Sequence, residues 1–245
     1  MIYLNKYYLN KKNMNTEEVP RKKTHTLLVS DFHLGSKVSR SQEAAQLLKS
    51  IDFERLILLG DIFENLNFNH LRKQDWEFLS LISKISESKK VVWIEGNHDS
   101  GLTQIFTVLT GVKVHKTYHW KHKGKKYFAI HGHQFDNFLV DNAVISVVAN
   151  QIYNFIQIID FQDRRVSRYI KEKSKGWLRL SEKVATRALL YAKLIRADYI
   201  FCGHTHKAMQ REDGDIKYYN CGCWTDIPAA FITIDENDIK INYWN

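Results

Sequence analysis

Proline and cysteine are scarce in this chain, with 2 prolines and 3 cysteines in 245 residues. Glycine is also sparse, at 11 residues, and this composition excludes collagen-like and low-complexity chains and argues against disorder. The thiols Cys202, Cys221 and Cys223 are odd in number, and the closest two are spaced wrongly for a Cys-x-x-Cys motif. That argues against a disulfide framework and a redox pair, so all three read as reduced thiols of a cytoplasmic protein. The N-terminal stretch MIYLNKYYLNKKNMNTEEVPRKK has no uninterrupted apolar segment, which excludes a signal peptide or membrane span there. Residues 1–23 read as a basic flexible tail, in which Met14 offers an alternative start. Acidic residues are in deficit, 27 against 36 basic ones, giving a formal net charge of +9. Such a surplus attracts nucleic acid, anionic membrane surfaces or phosphorylated substrates, and does not choose among them.

What is present is an α/β pattern. At 44% hydrophobic content, 245 residues support one substantial core. We therefore expect one domain over residues 24–245, with an elaboration. Apolar runs predict strands that end at Asp31, at Gly60-Asp61, at Gly96-Asn97 and at Gly203. Helical spacing is expected over Ser41–Lys49 and over Leu71–Ser86. A hairpin is expected across Lys123–Lys126, another at Asp213-Gly214, and a last turn at Asp235–Asp238 before a closing strand. Between about residues 136 and 197 lies a helical insert with no strand signal.

The polar clusters fall where the apolar strands end, the usual place for ligand sites in α/β sheets. In extended backbone, residues i and i+2 share a side, so Asp31 and His33 are expected to reach one cation. His204 and His206 repeat that spacing. Asp61 follows a glycine and has two carboxylate oxygens with which to bridge two metals. Asn97 adds an amide oxygen and His131 a further imidazole. A lone histidine at a strand end is usually a surface or core residue, and His25, His70, His115, His119 and His122 fall in that class. The ordered set is different: nitrogen and oxygen donors with only two carboxylates leave a two-cation site electropositive, which suits a phosphoryl group. Without thiolates, the donors suit manganese, iron or zinc.

Asp31-x-His33, Gly60-Asp61, Gly96-Asn97-His98-Asp99, His131-Gly132-His133 and Gly203-His204-Thr205-His206 together resemble the successive signatures of the calcineurin-like metallophosphoesterases, over about residues 25–245. The resemblance implies a four-layer α/β/β/α sandwich with a dinuclear centre. It implies Asp31, His33, Asp61 and His206 at one metal, and Asp61, Asn97, His131 and His204 at the other. It also implies that His98 faces the substrate phosphate, with Asn97, and aids departure of the leaving oxygen, while Asp99 orients His98. A narrower resemblance, carried by Gly60-Asp61-Ile62-Phe63-Glu64, the insert and Tyr219-Asn220-x-Gly222-x-Trp224, is to the UDP-2,3-diacylglucosamine diphosphatases, manganese-dependent membrane-associated enzymes of lipid A biosynthesis. This chain has His98 where the proteobacterial members typically carry Arg, and His133 where they carry Asp. The first of those positions lies beside the phosphates and bears on the substrate.

The expected reaction is hydrolysis of a phosphate ester or pyrophosphate by a hydroxide bridging two cations, most simply Mn2+. The substrate expected is a lipid-linked or nucleotide-sugar pyrophosphate, with nucleic acid as the alternative and a phosphoprotein third. A non-catalytic scaffold is the rival of another class, but no ligand is missing from the motifs. In the insert, residues Phe138–Phe161 form a largely apolar stretch with a polar stripe of Asn142, Ser146, Asn150, Asn154 and Gln157, Asp141 and Asp160 weigh against a true membrane span, and Arg164, Arg165, Arg168, Lys171, Lys173, Lys175 and Arg179 follow. This reads either as an acyl-chain wall or peripheral membrane contact, or as a helix packed on the core or in a dimer. Thiolates are not needed in this donor set. The Cys221→Ala/Cys223→Ala variant is therefore expected to retain its full metal content by elemental analysis, and substantial loss of metal would reveal a thiolate ligand.

Overall fold

The computed structural model describes residues 22–101, 103–136, 175–236 and 238–245. Most of the N-terminal tail, all of Phe138–Phe161 and the cationic run from Arg164 to Lys173 lie outside the described residues. Strand β1 (Lys22–Val29) pairs in parallel with β2 (Ile51–Leu59), and β2 with β3 (Lys90–Ile94). Helix α1 (Ser41–Ser50) makes the first crossover and α2 (Lys73–Ser86) the second. After α3 (Thr103–Thr110) comes the two-residue β4 (Val114–His115), which extends this sheet beside β3. The hairpin β5 (Thr117–His122) and β6 (Lys125–Ile130) opens a second sheet. Its turn is only Lys123-Gly124, both residues at positive φ, the geometry that two-residue hairpins prefer. Helix α4 (Lys175–Leu194) leads to β7 (Tyr199–Cys202), then the hairpin β8 (Met209–Asp213) and β9 (Ile216–Asn220). Finally β10 (Ala229–Ile234) and β11 (Ile239–Trp244) return to the first sheet as antiparallel strands. The orders are β11-β10-β1-β2-β3-β4 and β5-β6-β7-β9-β8.

Strand alternation explains the four layers. In β2, Leu56 and Leu58 pack on the helix side with α1 and α2, while Ile57 and Leu59 face the second sheet. In β6 and β7, Phe128 and Ile200 meet Val184, Ala188 and Leu189 of α4, while Ala129 and Phe201 turn inward. Both faces of each central strand are buried, so these strands read as unbroken apolar runs. The arrangement is an α/β/β/α sandwich. Among the described residues no helix is long and apolar enough to cross a membrane.

Three elements were not expected. Helix α3, TQIFTVLT, is rich in β-branched residues with poor helix propensity and is held by tertiary contacts. Phe106 of α3 stacks on Phe63 at 4.4 Å between centroids and on Trp93 at 5.3 Å. β4 is too short to carry a pattern, and β10 has all six residues buried, with no alternation to mark it.

Phe63 is fully buried and follows Asp61 by two residues, so its stack clamps the loop after β2. Phe63→Ala is expected to cost about 3–5 kcal/mol, read as a lower urea midpoint at unchanged slope. An unmoved midpoint would show that the stack does not hold that loop.

Candidate metal centre

The loops after β1, β2, β3, β6 and β7 bring seven predicted donors together. Asp31 Oδ1 lies 3.2 Å from His206 Nε2 and 4.0 Å from His33 Nε2, and the two imidazole nitrogens are 3.1 Å apart. Asp61 Oδ2 is 3.2 Å from His131 Nε2 and 4.0 Å from His33 Nε2, so this single oxygen faces both halves of the cluster. Asn97 Oδ1 is 3.2 Å from His131 Nε2 and 3.1 Å from His204 Nδ1. The two groups Asp31–His33–His206 and Asp61–His131–His204 have spacings that can hold a metal ion. Donors about 2.0–2.2 Å from a common cation sit roughly 3 Å or more from one another, which is what these pairs do. His25, His70, His115, His119 and His122 join neither group. His25 and His122 instead stack on each other, 3.8 Å between centroids.

The reason the spacing works differs from the expectation. Asp31, His33, Asp61, His204 and His206 are not extended: their φ values are 54°, 50°, 49°, 66° and 56°. Left-handed backbone costs a non-glycine residue roughly 1–2 kcal/mol, and such strain persists only when surroundings over-determine it. Here the loops bond to one another: Asp31 N–H donates to Gly60 O at 3.1 Å, His33 N–H to Asp61 O at 3.1 Å, and Gly203 N–H to His131 O at 2.8 Å. Asp61 Oδ1 accepts the His98 backbone N–H at 2.9 Å, while Oδ2 faces the imidazoles of His131 and His33. Glycine is required where loops cross: a methyl at Gly96 would overlap Asp61, and one at Gly203 would overlap Ser30 and Asp31.

Three of the four imidazoles are aimed by an outward nitrogen. His33 Nδ1 faces Glu64 Oε2 at 2.8 Å, His131 Nδ1 faces Leu59 O at 2.8 Å, and His204 Nε2 faces Asp136 Oδ2 at 3.2 Å. Oxygen acceptors there orient each ring with its other nitrogen turned inward, the usual support for a metal-bound histidine. Sequence reasoning missed Glu64 and Asp136 in this role. Each lies a few residues beyond a motif, at a distance no spacing rule predicts. Asp99 does not orient His98 as expected. Its Oδ2 accepts from Ile62 N–H at 2.8 Å and its Oδ1 from Gly96 N–H at 2.5 Å, so it ties together the loops after β2 and β3. His98 is held by Glu64 instead, with Nδ1 2.7 Å from the Glu64 carbonyl oxygen.

Electrostatics follow from burial. Burial alone would raise the Asp61 carboxyl, but the His131 imidazole overrides it and holds Asp61 well below the usual range. Asp31 is likewise penalised by burial yet lowered by His206. Asp99, penalised by burial and by the like charge of Asp61, is pushed up to about 6. His133 is pushed down to about 4 by burial and by its neighbours His131 and His204, so it stays neutral. Its Nδ1 is buried without a hydrogen-bond partner among the described residues. Two ionised carboxylates, one amide and four imidazoles, three of them directed inward by outward bonds, form a donor set that fits divalent cations.

Comparison with known proteins adds the following. The calcineurin-like phosphoesterase superfamily domain matches residues 25–235. No curated protein matches the sequence. Among solved structures, the chain is similar to YfcE, a phosphoesterase from E. coli, at 16% identity and TM-score 0.46, covering 90% of this chain and 99% of that one. An archaeal phosphodiesterase gives 13% identity, TM-score 0.46 and coverage of 89% and 98%. Vps29 from Entamoeba histolytica, complexed with zinc, gives 16% identity, TM-score 0.44 and coverage of 89% and 97%.

Glu64 holds His33 by its carboxylate and His98 by its backbone. Glu64→Ala is therefore expected to weaken divalent-cation affinity about 10–100-fold, with Glu64→Gln losing less because its amide oxygen can still accept from Nδ1. Equal affinities in wild type and both variants, by titration calorimetry, would remove Glu64 from the support of the centre.

Proposed function

This chain belongs to the calcineurin-like phosphoesterase superfamily, and we propose that it is a metal-dependent hydrolase of a phosphate ester or phosphoanhydride bond. The observation that carries the proposal is the position of Asp61 Oδ2, 3.2 Å from His131 Nε2 and 4.0 Å from His33 Nε2. One carboxylate oxygen thereby faces two sets of donors. In this reading Asp31, His33, Asp61 and His206 hold one cation, and Asp61, Asn97, His131 and His204 hold the second. Two divalent cations supply positive charge to phosphoryl oxygens and acidify water. We propose manganese as the ion, with iron or zinc compatible with the same donors.

The chain's own residues do the rest. Outward hydrogen bonds to Glu64, the Leu59 carbonyl and Asp136 fix the rings of His33, His131 and His204 with one nitrogen of each turned toward the centre. The Glu64 carbonyl can only accept, so His98 Nδ1 carries a hydrogen, and Nε2 is the nitrogen free to exchange a proton with a departing oxygen. His98 is half-buried, beside the centre, with its ring 4.8 Å from that of His33. Asp99 acts indirectly, by fixing the peptide units on either side of Asp61 and Asn97.

For the substrate we propose a lipid-linked or nucleotide-sugar pyrophosphate of the UDP-2,3-diacylglucosamine kind. Support comes from Gly60-Asp61-Ile62-Phe63-Glu64 and from Asn220, whose Nδ2 donates to Gly203 O at 2.6 Å and so braces the loop of His204 and His206. Peripheral membrane contact through the insert and a cytoplasmic location belong to the same proposal. The net charge of +9 is equally compatible with a second reading, hydrolysis of nucleic acid.

Asp61→Asn is expected to lose metal from both positions and nearly all turnover. Two full metal equivalents with normal turnover would overturn the assignment. His98→Ala is expected to keep its metal and lose on the order of 10²–10⁴ in turnover, most with a poor leaving group. Parallel assays on a UDP-sugar lipid and on single-stranded DNA separate the two substrate readings.

A further inference from the structure

Beside the centre lies a cavity of about 310 Å3 that shares His206 with the metal-binding cluster. Anything bound in it is close enough to be joined to a phosphoryl group held by that cluster. Its walls combine Trp177, Tyr243 and Pro228, and among the described residues its charged groups are one cation, Lys207, and one anion, Asp226. Lys207 Nζ stands over the Trp177 ring, 5.8 Å from its centre. The Trp177 ring is fixed, because its Nε1–H donates to Thr205 O at 2.8 Å, between the two histidines of the last motif. Tyr243 is 58% exposed on the edge strand β11.

We propose that this cavity is the subsite for a nucleoside carried by the substrate, with its base against the aromatic wall and its sugar toward His206. The proposal rests on the phosphoester-hydrolase reading and goes beyond it by assigning one part of the substrate to one set of residues. Three features select this ligand class. The walls offer aromatic and proline surfaces, which suit a planar heterocycle, and a base stacks on aromatic side chains whatever its identity. Among the described residues the lining pairs one cation, Lys207, with one anion, Asp226, whereas a polyanionic backbone takes many lysines and arginines. The volume is at the small end of ligand pockets, enough for one ring system with its sugar and too little for a pair of acyl chains. Asp226 and Lys207 offer an acceptor and a donor for the polar edges that a hydrocarbon chain lacks.

The test uses the full chain loaded with Mn2+. Calorimetry gives the affinities of uridine 5′-monophosphate, ribose 5-phosphate and decanoyl phosphate, and turnover of bis(4-nitrophenyl) phosphate is measured on the same preparations. Uridine 5′-monophosphate is expected to bind at least tenfold more tightly than ribose 5-phosphate. Tyr243→Ala and Lys207→Ala are each expected to reduce that preference about tenfold, and Trp177→Phe, which keeps a ring, to reduce it less. No preference for the nucleotide in wild type, a preference unchanged in both alanine variants, or tighter binding of decanoyl phosphate would each overturn the proposal. Binding is read without turnover. A ring-dependent preference in a protein that cleaves no phosphate ester therefore keeps the subsite and removes the hydrolase reading, whereas turnover without the preference does the reverse.

Discussion

Two buried carboxylates and four buried or half-buried imidazoles must stand 3–4 Å apart, and the rest of the molecule is arranged to make that tolerable. Bringing ionised groups out of water is costly unless each finds a partner. Here every carboxylate oxygen of Asp31 and Asp61 does. Asp61 divides its oxygens between the His98 peptide and His131, and Asp31 takes the His204 N–H and the Ser30 hydroxyl. The backbone therefore contributes as much as the side chains, through loops bent into left-handed conformations by bonds from one to the next.

This explains why the apolar framework is so complete. Strained loops persist only where something rigid holds both ends. Leu56 to Leu59 of β2 are entirely buried, and the rings of Phe63, Trp93 and Phe106 lock the next segment from outside. The sheet supplies a platform, the aromatic stack keeps the loop from relaxing, and the loop can then present Asp61 in a conformation that an isolated peptide would abandon.

Much of this was legible in the sequence. The strand-end motifs named all seven inward donors, and strict apolar runs placed the central strands, because both rest on local pattern. The α/β/β/α layering followed from the family resemblance of the motifs. What escaped depended on contacts between segments distant in the chain. α3 contradicts its own propensities and β10 has no alternation to read. The i, i+2 rule reached the right pairs through the wrong geometry, since five left-handed residues replace the expected extended ones. Asp99 was assigned to His98 because the two are adjacent in sequence, yet its oxygens go to Ile62 and Gly96. Glu64 stands inside the quoted Gly60–Glu64 stretch and Asp136 just beyond His133, but neither position tells which imidazole it supports, because those imidazoles come from other loops.

The donors are also divided by sheet. The first sheet delivers Asp31, His33, Asp61 and Asn97, and the second delivers His131, His204 and His206. Every oxygen donor thus comes from one half of the sandwich, and the other half gives nitrogen alone. An ion gripped by both halves would be a rivet through the interface of the two sheets. Sliding one sheet across the other by a fraction of an ångström would pull nitrogen away from oxygen throughout the cluster. The stiffness of the hydrophobic filling between the sheets, where Leu28, Ile57 and Ile94 meet Trp120 and Phe201, would in this sense govern ion affinity, although none of those side chains is among the donors.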